Sequence, residues 1–441
     1  MTRIPVVIMR GGASKGAYFL SADLPASPQD RDDVLLSIMG SPDPRQIDGI
    51  GGGDLRTSRV AVVSRSADPA VDVDCLLLQV RVDEPRVSAG LLCADILAGV
   101  GPFAIERGLV AASGATTPVR VRMAVGGALV IVHVPVKGGR PEYSGETAIS
   151  GVPGRAARIE VEFREAGALL PAGRKAGALP PAGREARVLL PSGRAVDDLG
   201  EVAATLIDNG TPLVLAAASS LGVSGYESPT RLEYDERLRR RVEALRMAAG
   251  ERMGLGDVRA AIDPQVCLLA PGAEGGSLCT RMFVPHRVHP GIEALAAVTV
   301  GAAAALPGTI AADLAVPADS RAGLAAAGMA AGLAAAGVRA AAGVRAAAGL
   351  RAAAGLRAAA GVRAAAGLRA GLAAAGGLSA SVAAGGEAAS GGRREFRLEH
   401  PSGFADVVVE TDVAGAVITV SRSAVVSTAR LLLEGEVHVR V

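Results

Sequence analysis

The chain contains no tryptophan, and aromatic residues of all kinds make up only 2% of its 441 positions. Proteins that hold single-stranded nucleic acid stack bases on aromatic faces, so this composition argues against such a ligand. Excess charge is equally scarce. Lys and Arg number 46 against 44 Asp and Glu, a formal net of +2, so no global basic field exists to recruit nucleic acid or an anionic bilayer. Cys75, Cys93, Cys267 and Cys279 are far apart and lack CxxC or Cys/His spacing, which signals neither zinc nor a disulfide lattice. A reducing, cytoplasmic location is expected. The opening segment, Met1 to Gly16, has too short an apolar run and too many glycines for a secretory leader. One long charge-free stretch, Ala294 to Ala312, is interrupted by Gly301, Pro307 and Gly308, so it is expected to be buried in protein rather than in a membrane.

Aliphatic side chains are abundant: half the residues are hydrophobic, enough for a large core of Ala, Val and Leu spread over two or three domains. Two regions look inserted. From Ala330 to Gly377 only Ala, Gly, Val, Leu and Arg occur, and arginine recurs every six residues from Arg339 to Arg369. A six-residue step walks around a helix, and glycine interrupts each turn, so no amphipathic helix is expected over this low-complexity insert, about residues 320–392. Without these six arginines the formal net charge falls from +2 to −4. The second region, residues 167–194, repeats a P-x-G-R turn three times, as tandem copies of one surface loop would.

Outside these regions, strand-like and helix-like segments alternate, and the order repeats. Pro5 to Met9, Ser58 to Ser64, Val71 to Val82 and Val119 to Val136 read as strands, with an apolar helix from Cys93 to Glu106 that Gly101 and Pro102 should kink or break. Val266 to Ala270, Leu278 to Val284, Asp406 to Glu410 and Ala416 to Val420 are the second set, with an apolar helix near Gly291 to Leu306. Arg231 to Ala249, dense in Arg and Glu, reads as a solvated surface helix. Two similar halves, residues 1–196 and 197–441, invite a site between them.

Several turns carry chemistry, each beside a plainer alternative. Arg10-Gly11-Gly12-Ala13-Ser14-Lys15-Gly16 is a simple turn or a place where amides and two cations meet an anion; its spacing is not that of a phosphate loop. Gly49 to Gly53, four of five of them glycine, is a linker or a point where a ligand approaches the main chain. Cys93 is a core thiol or one activated at a helix start. Thr280 to Pro290 gathers Arg281, His286 and His289 ahead of the second apolar helix, an anion site; two histidines without a third ligand do not make a metal centre. Glu399-His400-Pro401-Ser402-Gly403 is a turn able to bring Ser402 to the same cleft.

At RGGASKGAYF, MGSPDPRQIDGIGGGD, CADILAGVGPFAIE, LLPSGRAVD, RMFVPHRVH, LPGTIA, LEHPSG and TARLLLEGEV the chain resembles the PrpF family of methylaconitate isomerases and 4-oxalomesaconate tautomerases, in family order from Arg10 to Val437. The resemblance implies an α/β fold like diaminopimelate epimerase, two similar lobes each wrapping a sheet around a central apolar helix. It implies a cofactor-independent isomerase or tautomerase that shifts a proton within a small tri- or dicarboxylate, most like 4-oxalomesaconate tautomerase. The alternatives are a methylaconitate or aconitate isomerase and a catalytically impaired polycarboxylate binder. No metal, nucleic acid or membrane partner is expected, and a homodimer is left open.

On this reading Cys93 or Lys15 transfers the proton, and Arg10, Arg59, Arg281 and His289 hold carboxylates. Ser14, Gly51, Gly52, Gly53, Ser402 and Gly403 line the site and supply hydrogen bonds. The departures from the family pattern sit close to the chemistry. Arg59 replaces the lysine of a T-S-K segment and cannot deprotonate at ordinary pH. Leu91-Leu92-Cys93-Ala94-Asp95 replaces P-N-C-G-N, Val288 replaces a cysteine, and Ala13 replaces a threonine.

Overall fold

A computed structural model describes residues 2–89, 94–164, 189–316, 392–414 and 417–439. Cys93, residues 167–188 of the tandem loop and residues 320–391 of the insert lie outside the described residues.

The first half runs β1 (Thr2–Gly11), β2 (Ser14–Leu20), α1 (Pro28–Met39), β3 (Arg59–Arg65), β4 (Val73–Val80), β5 (Val87–Ala89), α2 (Ala94–Glu106), β6 (Thr116–Met123), β7 (Leu129–Lys137), β8 (Arg140–Pro141) and β9 (Ile159–Arg164). The second runs β10 (Asp197–Asp198), β11 (Ala203–Asp208), β12 (Pro212–Ala217), α3 (Pro229–Tyr234), α4 (Glu236–Arg252), β13 (Gln265–Pro271), β14 (Leu278–Val284), β15 (Arg287–Val288), α5 (Ala294–Ala305), α6 (Ile310–Leu314), β16 (Gly392–His400), β17 (Gly403–Ala414), β18 (Val417–Ser427) and β19 (Ala429–Val439).

The pairing pattern is duplicated. In the first half β1 and β2 are antiparallel, β2 and β3 parallel, β3 and β4 antiparallel, β4 and β6 parallel, and β6–β7 and β7–β9 antiparallel. The second half repeats that series through β11, β12, β13, β14, β16, β17 and β18. The last strands of the two series, β9 and β18, pair antiparallel and join them into one sheet. β19 then returns to pair with β1, placing the C-terminal strand on the edge of the first half.

In each half the crossover between the last parallel pair carries the apolar helix, which the sheet wraps. All residues of α2 from Ile96 to Ile105 are buried, and side chains of α2 and α5 share one apolar cluster. Pro102 lies inside α2, yet the helix runs on to Glu106. An interior proline costs about 3 kcal/mol, whereas burying each of Ile96, Leu97, Val100, Phe103 and Ile105 contributes roughly 1.5–3 kcal/mol; tertiary burial therefore overrides the local break. Gly101 and Gly301 let the sheet approach: an added Cβ would lie 2.6 Å from a methyl of Val134 or of Val407 respectively.

The charged segment from Arg231 forms two helices, because the Asp235 side chain accepts from the Leu238 amide and starts a new one. It is not simply solvated. α4 turns Leu238, Val242, Leu245 and Ala249 into the second half's core, and Arg246 is completely buried, bidentate to Glu243 and donating to the carbonyls of Val258 and Ala261.

Candidate active site

The Gly11-Gly12-Ala13 turn joining β1 to β2 packs directly on the start of α2. A Cβ on Gly11 would collide with the Asp95 carbonyl and one on Gly12 with the Asp95 carboxylate, and Gly12 holds φ +52°. Only glycine fits this approach. Buried Ser14 donates from Oγ to Asp95 Oδ2 at 2.9 Å. Arg10, expected to hold a carboxylate, spends Nη1 on the Gly12 carbonyl at 2.8 Å and on the Thr428 carbonyl and hydroxyl at 3.1 and 2.9 Å. It ties the turn to the β18–β19 connection, while burial and neighbouring Arg430 lower its pKa and Asp95 opposes them. Lys15 faces Arg10 across the hairpin, and its side chain makes no hydrogen bond among the described residues. Arg59 opens β3 in parallel register with Gly16, one residue from Lys15.

A corresponding arrangement stands at α5. The Gly291 amide donates to His289 Nδ1 at 3.0 Å, which leaves the neutral ring's proton on Nε2. A Cβ on Gly291 would lie 3.4 Å from Ser402 Oγ and 3.7 Å from His400 Nδ1. His400 and Gly403 pair across a two-residue turn, with Ser402 Oγ 3.2 Å from His400 Nδ1. Burial lowers the His400 pKa; Phe404's backbone opposes this, while His289 and Arg281 lower it further. Arg281 is buried and held by the Glu227 carbonyl on Nε (2.7 Å) and the Thr280 carbonyl on Nη1 (2.9 Å).

One loop bridges the two arrangements. Ser150 Oγ accepts from the Phe404 amide at 2.7 Å, and Gly403 (φ +137°) lies so close that a Cβ there would meet the Ser150 side chain at 2.6 Å. The next residue, Gly151, rests beside Ala13. Contacts thus run from Asp95 through Gly12, Ala13, Gly151, Ser150, Gly403, Ser402, His400 and Gly291 to His289, so each helix start touches the turn of its own half and the 150–151 loop links the two turns.

Gly51 to Gly53 stand apart from this line. The Gly51 amide donates to the Met39 carbonyl (3.2 Å) and the Gly53 amide to Gln46 Oε1 (2.9 Å), so these two are committed within the loop. Gly52 sits against Thr57, and buried Gln46 also accepts from Ser58 at 2.7 Å, one residue before Arg59. The run shapes the loop that leads Arg59 into its strand.

Sequence reasoning passed over His400 although its turn was singled out, because a histidine between Glu and Pro gives no hint of what the fold lays against it. Ser150 and Gly151 lie outside the sequence motifs, and Thr428 opens the TARLLLEGEV motif without any sign of the Arg10 side chain that it meets.

The PrpF protein family model matches residues 1–347. The chain belongs to the PrpF family. Among its relatives, 4-oxalomesaconate tautomerase of Pseudomonas putida is 50% identical over 319 residues, 71% of this chain and 83% of that one. The 2-methyl-aconitate isomerase of Shewanella oneidensis is 33% identical over 343 residues, 70% of this chain and 83% of that one. A solved methylitaconate-delta-isomerase superposes with a TM-score of 0.69 at 25% identity, covering 99% of this chain and 96% of that one. With the duplicated sheet and its enclosed helices, this PrpF chain has the diaminopimelate-epimerase-like α/β fold expected from its sequence. No helix among the described residues is long and apolar enough to cross a membrane.

Proposed function

We propose that this protein is an isomerase that shifts a proton within an unsaturated polycarboxylate, most like 4-oxalomesaconate tautomerase, between lobes formed by the two halves of the chain. The observation that carries the reading is the continuous line of contacts from the start of α2 to the start of α5, with Ser14, Lys15 and Arg59 near one end and Arg281, His289 and Ser402 at the other. Two helix N-termini offer amides and positive dipole ends to a ligand with several carboxylates. Removing a proton beside a carboxyl or carbonyl leaves an electron-rich intermediate, which donors and cations fixed in advance stabilise without reorganising. The 50% identity to a named tautomerase supports the substrate class. Cys93, directly ahead of α2, and Lys15 are the groups that the sequence offers for proton transfer.

The test is spectroscopic: purified protein added to oxalomesaconate in heavy water should change its absorbance and wash solvent deuterium into it. No change with oxalomesaconate, methylaconitate or aconitate would remove the activity. The second reading, a polycarboxylate binder without turnover, is favoured by Arg59, since a guanidinium cannot accept a proton. Calorimetric binding without deuterium exchange would select it.

A further inference from the structure

We infer that His400 is a catalytic base of this site, taking the migrating proton on Nε2, with Ser402 as its positioning residue; this rests on the tautomerase reading above.

Neither Arg59 nor Val288 can gain and lose a proton at ordinary pH, so the site needs another group that can. His400 supplies one. It ends β16 at a two-residue turn, and the Ser402 hydroxyl of that turn stands 3.2 Å from Nδ1. In the tautomer that donates from Nδ1 to Ser402 Oγ the lone pair stands on Nε2, and the Ser402 contact helps to aim the ring.

The surroundings keep the ring uncharged. Burial disfavours an imidazolium, the Phe404 backbone of β17 opposes this, and among the described residues the charged and titratable neighbours, His289 from the segment ahead of α5 and Arg281 from β14, disfavour it further. A base that is neutral and ready at physiological pH is what proton abstraction needs. Gly291 brings the start of α5 to within 3.7 Å of the ring for an added Cβ, so a carboxylate received by that helix end would lie beside it.

In the step itself the substrate C–H bond breaks, its proton passes to Nε2, and its electron pair stays on the ligand as an extended enolate. The imidazolium returns a proton to another atom of the same ligand, leaving enzyme and electron count unchanged. No oxidant or second substrate enters.

The experiment compares the full-length wild type with His400→Gln and Ser402→Ala. Tautomer conversion and deuterium wash-in are followed across pH, and imidazole C–H resonances are followed during titration with tricarballylate, a saturated tricarboxylate that cannot react. The expected results are a loss of at least a hundredfold in kcat for His400→Gln, with tricarballylate still shifting the His289 resonance, and an acid limb in wild-type kcat/KM below the ordinary imidazole value that His400→Gln abolishes. Ser402→Ala should move that limb and lower kcat more than it raises KM. Conversion by His400→Gln within threefold of wild type, or an acid limb that persists in it, would overturn the role of His400 while leaving the tautomerase reading intact. A wild type that binds tricarballylate yet neither converts nor exchanges any substrate would overturn both.

Discussion

Ser14 donates its hydroxyl to the carboxylate of Asp95 across 2.9 Å, so the first residue of β2 is fastened to the first turn of α2. This bond puts a negative charge where the proposed substrate brings several of its own. Asp95→Asn keeps an oxygen for Ser14 and removes the charge. A like charge a few ångströms away costs about 1 kcal/mol or more even when well solvated, so KM for the polycarboxylate should fall about fivefold with a smaller change in kcat. Stability should drop by less than about 1 kcal/mol as the helix start loses an anion. An unchanged KM would mean that this carboxylate does not face the ligand.

Arg59→Lys returns a titratable amine to the start of β3, beside Gly16 and Lys15. A correctly placed general base contributes about 10²–10⁴-fold, and a lysine entering a site that already turns over should raise kcat by about tenfold. The same variant should lose some affinity, because ammonium cannot form the paired contacts a guanidinium makes to a carboxylate. Steady-state kinetics separate the two effects; a fall in both kcat and affinity would make Arg59 itself the adapted residue.

Gly12→Ala tests the close approach of the turn to α2. The substitution puts a methyl group into the Asp95 carboxylate and forces alanine to hold φ +52°. Strain of about 1–3 kcal/mol from the backbone conformation adds to the clash, so thermal denaturation should show a loss of at least about 2 kcal/mol. Gly126→Ala, also at positive φ but with nothing near its Cβ, should cost less and isolates the clash.

Acid should loosen the seam between the halves. Glu160 on β9 accepts from Arg422 and Arg393 at 2.7 and 2.6 Å and from Arg158 at 2.9 Å. Burial would raise its pKa, but those three guanidinium groups outweigh burial and hold it at about 2, against an ordinary value of 4.5. A depressed carboxylate pKa gives stability that is present in full above 4.5 and drains away as pH falls toward 2. The shift corresponds to roughly 3 kcal/mol. Urea denaturation from pH 6 down to pH 3 should show this decline, and Glu160→Gln should flatten it while lowering stability at pH 6.

The recurrence of strand-rich segments and an apolar helix in both halves was legible in the chain because period and composition are local properties. So were the glycine turns, whose conformations only that residue adopts without strain, and the family resemblance, carried by contiguous motifs. The partners of those turns were not legible. Arg10 looks like an anion grip until Thr428 is found on it, and the glycines at 51 and 53 look like donors until Met39 and Gln46 are found to accept from them. Pro102 looks like a helix break until a sheet closes around it. His400 gains its meaning from His289 and Arg281, more than a hundred residues away in the chain. Local steric and hydrophobic preferences are written residue by residue, whereas hydrogen-bond partners, dielectric surroundings and charge neighbours exist only after distant segments have packed together.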